Sequence, residues 1–154
     1  MKLLVMMQVQ AENYTPSGNE IMISITEPNR KREVELRDGF LAVHRAYFND
    51  IDRQYGDYLP MQVHDANGIL AFATEWLPKA EQCIVHCAAG ISRSPAVAIA
   101  LAEIFDICEP WILIERYPCF NRHVYRMLLT QAQNGTSNDD ANREMGLPEG
   151  VDWG

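Results

Sequence analysis

Ten consecutive residues near the middle of the chain, residues 86–95, combine a cysteine and an arginine with small side chains. Apolar Ile84 and Val85 predict a strand that ends at Cys87, and Pro95 with the alanines after it predicts the first turn of a helix. In a short loop between a strand and a helix, successive backbone N–H groups converge, and the helix N-terminus adds about half a positive charge. The segment therefore predicts an anion-binding loop.

The side chains of this loop suit phosphoryl transfer through a covalent intermediate. Arg93 offers a planar fork of N–H donors that matches phosphate oxygens. The positive field that binds an anion also favours the thiolate form of Cys87, which is the nucleophilic form. Ala88, Ala89 and Gly90 are small enough to let the backbone approach the anion. A nucleophile and an oxyanion cradle thus lie in one segment, which predicts a reaction centre.

The order of these residues resembles the signature loop of the cysteine-dependent protein tyrosine phosphatases. The matching residues are His86, Cys87, then five further residues, Arg93 and Ser94. The whole run His-Cys-x-x-Gly-x-Ser-Arg-Ser-Pro most resembles the dual-specificity branch. The resemblance is strong over residues 83–133 and weaker back to about residue 21. The later run Pro118-Cys119-Phe120-Asn121 is similar to the Pro-x-x-Asn that opens a late helix in small bacterial members.

This resemblance implies a two-step mechanism and a role for each loop residue. Cys87 would attack phosphorus and form a cysteinyl-phosphate. The phosphate oxygens would be held by Ala88, Ala89, Gly90, Ile91, Ser92 and Arg93. Ser94 would hydrogen-bond the sulfur and help it leave in the second step, and His86 would brace the loop through side-chain-to-backbone bonds. The resemblance implies no metal and no cofactor.

The mechanism also needs an aspartic acid that protonates the leaving oxygen and then activates water. The family places it on the loop before the long helix, and Asp50 follows the third predicted strand directly, so we assign it to Asp50. Asp52 and Asp57 fall on the same predicted loop and stay open as alternatives. Asp65 lies within a predicted helix, where a catalytic loop residue is not expected.

The order of the predicted strands and helices that must position these residues indicates an α/β fold. We expect a single domain with a central, mainly parallel sheet of about four or five strands, flanked by helices. Apolar β-forming runs predict strands at Leu3–Val9, Ile21–Thr26, Phe40–Phe48 and Cys83–His86. Helical spacing and terminal residues predict helices at Pro60–Leu77, Ser94–Phe105, from Pro110 to before Pro118, and from Asn121 as N-cap to near Gly135. The predicted division is a phosphatase domain over residues 1–135 and an acidic C-terminal tail over residues 136–154.

The charge balance excludes some partners. Thirteen Lys and Arg against 21 Asp and Glu leave a net charge of −8, which argues against nucleic-acid binding. No apolar run is long enough for a membrane span, and no secretory signal is recognisable. We therefore expect a cytoplasmic protein with reduced thiols. We also expect it to be a monomer. The net charge also predicts slow encounter with very acidic substrates. The basic run Arg30–Arg32 is either a solvated loop or a basic rim beside the site.

These observations predict a phosphatase for phosphotyrosine, with phosphoserine and phosphothreonine as further substrates. The alternative is a catalytically weak, phosphatase-like module that binds phosphorylated protein partners. Phosphoinositide phosphatases of the family that the loop resembles tend to carry extra basic residues there. No lysine lies among residues 88–92, so the resemblance favours a phosphorylated protein or peptide over a phosphoinositide as the substrate. The other three cysteines, Cys83, Cys108 and Cys119, are expected to be buried core residues.

Overall fold

The sheet that carries the predicted loop is parallel throughout. The computed structural model describes the backbone of residues 1–144 and the side chains of residues 1–135. Within that range, four strands form one sheet in the order β1-β4-β2-β3. The strands are β1 (Lys2–Met7), β2 (Glu20–Thr26), β3 (Ala42–Tyr47) and β4 (Gln82–Cys87). All three neighbouring pairs are parallel, which confirms the predicted α/β architecture. The carboxyl ends of the strands therefore meet at one edge.

Five α-helices within residues 1–144 cover this sheet. They are α1 (Gln8–Asn13), α2 (Val63–Trp76), α3 (Arg93–Ile104), α4 (Pro110–Arg116) and α5 (Arg122–Glu144), and a single 3₁₀ turn over Leu77–Lys79 follows α2. The Asn121 side chain accepts a hydrogen bond from the Val124 N–H at 3.1 Å, as an N-cap does, so the predicted start of α5 is confirmed.

The predicted ends of the last helix and of the first strand are wrong. The helix predicted to end near Gly135 continues to Glu144, because an interior glycine costs only about 1 kcal/mol and does not by itself end a helix. The boundary predicted between residues 135 and 136 therefore falls inside α5, and residues 145–154 of the predicted tail lie outside the described residues. The first strand stops at Met7 rather than Val9, since the Met7 N–H is capped by the Gln10 side chain and α1 begins.

The helix predicted from Pro60 begins instead at Val63. The Gln62 N–H donates to the Asp65 carboxylate at 2.8 Å, so the N-terminus is set by a side chain inside the first turn and not by the proline. Burial raises the pKa of Asp65, and the hydrogen bond from Gln62 opposes that change. Asp65 thus has a structural partner within the helix.

The two faces of the sheet pack against different layers. Alternate side chains of β2 and β4, among them Ile21, Ile23, Ile25 and Val85, enter a large core with α2, α3 and α5. On the opposite face, the side chains that pack together form a smaller cluster, comprising Ala11, Met22, Ile84, Leu4, Met6, Tyr14, Leu36 and Phe40. Because β2 and β4 are central strands covered on both faces, they are buried almost throughout.

A buried carboxylate anchors the amino end of this sheet. Glu20, the first residue of β2, is 2% exposed. It accepts hydrogen bonds from the Tyr14 hydroxyl, the Ser17 hydroxyl and the N–H groups of Ser17, Gly18 and Asn19. Burial by itself disfavours the charged form, but these hydrogen bonds outweigh it and lower the pKa of Glu20 to about 2. The same contact raises the pKa of Tyr14 to about 12.

Candidate active site

The loop between β4 and α3 lies at the carboxyl edge of the sheet. β4 ends at Cys87 and α3 begins at Arg93, so residues 88–92 connect them. Gly90 has φ of 72°, and a Cβ added there would lie 2.8 Å from the Met7 N atom. Only glycine fits both the backbone conformation and this close approach. The Gln8 N–H donates to the Ala88 carbonyl at 3.1 Å, so the end of β1 holds the loop from one side.

The Cys87 sulfur lies at the base of this loop. Its Sγ accepts a hydrogen bond from the Gly90 N–H at 3.3 Å, and the Ser94 Oγ lies 3.0 Å away. Ser94 is fully buried and Cys87 nearly so, whereas Ala88 and Ala89 are exposed. The sulfur is thus buried at the base of a loop whose residues 88 and 89 are exposed to solvent.

His86 links the loop to the neighbouring strand. Its Nδ1 lies 3.2 Å from the Cys87 carbonyl oxygen, and its Nε2 lies 2.6 Å from the Ser24 Oγ on β2. A carbonyl only accepts, so Nδ1 carries the proton and Nε2 accepts from the Ser24 hydroxyl. Burial lowers the pKa of His86, which keeps the ring neutral in this arrangement. The side-chain-to-backbone contact predicted for His86 is present.

Two strand ends orient the Arg93 guanidinium. Its Nη1 donates to the Phe48 carbonyl at 2.9 Å, just past β3, and its Nη2 donates to the Glu27 carboxylate at 2.9 Å, just past β2. Burial disfavours the charged form of Glu27. However, a hydrogen bond from its own backbone and the contact with Arg93 outweigh burial and lower its pKa. Arg30 reaches the same carboxylate at 3.6 Å, so Glu27 lies between Arg30 and Arg93.

Asp50 contacts the loop from the opposite side. Its Oδ1 accepts hydrogen bonds from the Ser92 hydroxyl at 2.7 Å and from the Asn121 side-chain amide at 2.9 Å. The two alternative candidates for the general acid have different surroundings. Asp52 is exposed and paired with Arg53 at 3.3 Å, and the exposed Asp57 borders a separate cleft with Glu27. Of the candidate acids, Asp50 is the one hydrogen-bonded to the loop.

Sequence reasoning missed Glu27 and Ser24, and it identified Asn121 only as a helix cap. Glu27 follows a buried strand directly, and polar residues at the carboxyl ends of parallel strands meet at one edge, so this signal was available. Ser24 carried no such signal, because it lies within β2 and its contact with His86 depends on the register of β2 and β4.

The remaining cysteines correct one expectation. Cys83 is fully buried in the core, and burial raises its pKa to about 12. Cys108 and Cys119, expected to be buried, are exposed. In the part of the chain that the structure describes, no three His, Cys, Asp or Glu side chains lie together as a metal site would require. No helix there has the length and apolar character needed to cross a bilayer.

Comparison with known proteins identifies the fold. No protein-family model matches the sequence, and no curated protein sequence matches it. The structure is similar to the human tyrosine phosphatase-like serine/threonine/tyrosine-interacting protein, with a TM-score of 0.60 and 18% identity over 86% of this chain and 91% of that one. It is also similar to PTPMT1, solved in complex with PI(5)P, with a TM-score of 0.59 and 14% identity over 89% and 94%. For Tk-PTP in its active form the TM-score is 0.51, with 15% identity over 84% and 88%.

These similarities show that the chain has the fold of the dual-specificity and tyrosine phosphatases. The resemblance noted in the loop sequence is therefore confirmed at the level of the fold.

Proposed function

We propose that this protein hydrolyses phosphate monoesters of proteins through a cysteinyl-phosphate intermediate. Phosphotyrosine is the principal substrate, and phosphoserine and phosphothreonine are further substrates. One observation carries the proposal. The Cys87 sulfur lies beneath the loop within reach of the Gly90 N–H and the Ser94 hydroxyl, while Asp50 is hydrogen-bonded to Ser92 of the same loop. Nucleophile, anion cradle and acid thus converge on one point at the carboxyl edge of the sheet.

In the first step the Cys87 thiolate attacks phosphorus. The S–P bond forms as the bond from phosphorus to the substrate oxygen breaks, and Asp50 gives its proton to that leaving oxygen. The backbone N–H groups of residues 88–92 and the Arg93 guanidinium hold the three equatorial oxygens. The products are the dephosphorylated hydroxyl and the cysteinyl-phosphate.

In the second step water displaces the sulfur. The Asp50 carboxylate takes a proton from the water as its oxygen attacks phosphorus, and the S–P bond breaks. The sulfur leaves as a thiolate, which the Ser94 hydroxyl stabilises by donating a hydrogen bond across the 3.0 Å between the two atoms. Inorganic phosphate leaves, and both Cys87 and Asp50 return to their starting protonation states. This cycle uses only protein groups and water.

Glu27 and His86 act as positioning residues in this proposal. Glu27 and the Phe48 carbonyl fix the guanidinium plane of Arg93, which pre-orders its donors for phosphate. His86 donates a hydrogen bond to the Cys87 carbonyl, and Ser24 fixes the orientation of the His86 ring. Together they keep the Cys87 backbone, and with it the sulfur, in position beneath the loop.

Turnover of a small aryl phosphate tests the proposal. The wild type should release phosphate, and Cys87→Ser should reduce the rate to background. Cys119→Ser is the matched control, because it makes the same change at an exposed cysteine outside residues 86–95 and should leave turnover intact. A wild type that binds a phosphotyrosine peptide without releasing phosphate would contradict the proposal and establish the alternative, a module that only binds phosphorylated proteins.

A further inference from the structure

The segment that carries Asp50 connects β3 to α2 and comprises residues 48–62, which we call the acid loop. This loop is closed on itself. The Asn49 N–H donates to the Leu59 carbonyl at 2.7 Å, and the Leu59 N–H donates to the Asn49 side-chain oxygen at 2.8 Å. The proposed chemistry needs Asp50 beside residues 88–92 but assigns no residue to hold the acid loop there.

Two side chains at the start of α5 contact the acid loop near its two ends. Asn121, the N-cap, donates from its Nδ2 to the Asp50 Oδ1 at 2.9 Å and to the Ile51 carbonyl at 3.3 Å. The His123 Nε2 lies 2.9 Å from the Met61 carbonyl oxygen, and it is the donor because a carbonyl only accepts. Since α5 packs against α2 and α3, these contacts attach the acid loop to the helical layer.

Asn121 also contacts the loop between β4 and α3. Its backbone N–H donates to the Ser92 carbonyl at 3.0 Å, and the Ser92 hydroxyl donates to the Asp50 Oδ1 at 2.7 Å. Asn121, Ser92 and Asp50 therefore form a closed ring of hydrogen bonds. This ring joins the acid loop, the loop that follows Cys87 and the start of α5, so moving Asp50 away from Ser92 and Asn121 breaks two hydrogen bonds at once.

The orientation of the Asn121 amide distinguishes the two carboxylate oxygens of Asp50. The Asn121 Oδ1 accepts from the Val124 N–H at 3.1 Å, so the group that faces Asp50 is the amide NH2, which can only donate. The Asp50 Oδ1 must then be an acceptor, and it cannot carry the acidic proton. Among the described residues, the other oxygen, Oδ2, has no hydrogen-bond partner. The acidic proton therefore belongs on Oδ2.

We propose that Asn121 is a positioning residue that holds Asp50 beside the loop and directs its acidic proton to Oδ2, with His123 as a second anchor of the acid loop. The inference rests on the proposed function and deepens it by naming the oxygen that acts. In the first step the Oδ2–H bond breaks as the leaving oxygen takes the proton, while Oδ1 keeps its two donors. In the second step Oδ2 takes a proton from the attacking water. Between the steps, the donors from Ser92 and Asn121 stabilise the carboxylate.

Asn121 also caps α5, so a substitution there acts on helix stability as well. Asn121→Ser separates the two roles. A serine hydroxyl still accepts from the Val124 N–H, whereas its shorter side chain no longer reaches Asp50. The backbone N–H that contacts Ser92 is retained in this variant.

The dependence of kcat/KM on the leaving group measures the proposal. For an aryl phosphate with a weakly acidic leaving group, Asn121→Ser should lower kcat/KM roughly tenfold, because proton transfer to the leaving oxygen is impaired. For an aryl phosphate with a very acidic leaving group, which needs no protonation, the loss should stay below about twofold. His123→Phe keeps a ring but loses the donor at the far end of the acid loop. It should show the same pattern with a loss of about threefold.

Two further variants isolate the contact with Asp50. In an Asp50→Asn background, Asn121→Ser should change kcat/KM less than about twofold, because the acid that Asn121 positions is gone. Asn13→Ser is the matched control, since it makes the same change at an exposed amide on α1 that donates to the Val9 carbonyl, and it should leave both substrates unaffected. Equal losses of Asn121→Ser on the two substrates, or an undiminished loss in the Asp50→Asn background, would overturn the proposal.

The anchoring can also be measured without turnover. Amide hydrogen exchange at Ile51 and Leu59 reports opening of the acid loop, and Asn121→Ser should speed it roughly tenfold, while Val124 keeps its exchange rate because the cap is retained. Unchanged exchange at Ile51 and Leu59 would overturn the anchoring role. Wild type that releases no phosphate but shows the faster loop exchange in Asn121→Ser would contradict the proposed function and support the anchoring.

Discussion

Two charged side chains are almost completely buried at opposite ends of the parallel sheet: Glu20 at the amino end of β2 and Arg93 just past the carboxyl end of β4. Hydrogen bonds from residues 14–19 reach both oxygens of Glu20. Arg93, in contrast, donates two hydrogen bonds within the described part of the chain, to Phe48 and Glu27, although a guanidinium has five N–H donors.

This difference separates a charge with a structural role from one to which we assign a role in the proposed function. A buried charge is tolerated when hydrogen bonds replace its lost hydration, and the donors around Glu20 do so from within its own segment. At Arg93 the contacts with Phe48 and Glu27 fix the guanidinium plane, and in the proposed function its other donors hold phosphate. Removing the first charge should therefore reduce stability, and removing the second should reduce activity.

The largest expected effect is at Arg93. Arg93→Lys keeps the charge but cannot contact Phe48, Glu27 and a phosphate together, so kcat/KM for an aryl phosphate should fall roughly 10³-fold. Thermal unfolding measured in parallel should change little. If turnover stayed within about tenfold of wild type, the functional assignment of this charge would fail.

A smaller loss is expected at Asp50. Asp50→Asn removes the proton that the leaving oxygen needs, so kcat/KM should fall roughly 10²-fold or more for a phosphotyrosine peptide. The loss should shrink for an aryl phosphate with a very acidic leaving group, which needs no protonation. Asp52→Asn and Asp57→Asn are the matched variants. A greater loss in either of them would transfer the acid role away from Asp50.

Glu20→Gln tests whether the buried charge at the amino end of the sheet stabilises the fold. The pKa of about 2, against an ordinary 4.5, corresponds to about 3 kcal/mol of unfolding free energy at neutral pH. The melting temperature should therefore fall by roughly 6–12 °C, while kcat at a temperature well below melting should be retained. A loss of activity without a loss of stability would contradict this interpretation.

The sign of the pH dependence follows from the same pKa. A carboxyl whose folded pKa is lowered contributes its stabilisation above the ordinary pKa near 4.5 and loses it as the pH falls towards 2. Urea unfolding at pH 7 and at pH 3 should show the difference between wild type and Glu20→Gln shrinking at the lower pH. A difference that is constant over this range would assign the effect to packing rather than to charge.

The smallest expected effect is at Glu27, which only orients Arg93. Glu27→Gln keeps an acceptor for the guanidinium but removes the charge, so kcat/KM should fall about threefold to tenfold. Glu33→Gln is the control, because Glu33 also pairs with an arginine, Arg45, in a more exposed contact. Equal effects in the two variants would show that Glu27 acts through the overall charge.

The sequence predicted the segment that contains Arg93 much better than it predicted the hydrogen-bond network around Glu20. The strand, the loop and the helix that contain Cys87 and Arg93 are consecutive, so their order and small side chains could be interpreted directly. The network around Glu20 is also local, but it depends on the conformation of residues 14–19, which carry no periodic pattern. The predicted end of the last helix at Gly135 was wrong because a single glycine can lie at the end of a helix or inside a helix that continues.

By itself, the sequence determined the parallel α/β class and the strand–loop–helix segment from Cys83 to Phe105, because propensity, apolar runs and spacing act within a few residues. Only the tertiary structure decided which distant groups complete the site. Glu27 and Phe48 reach Arg93 from 66 and 45 residues away, and Asn121 reaches Asp50 across 71. Those contacts follow from the strand order β1-β4-β2-β3 and its register, which depend on how the two faces of the sheet are buried as a whole.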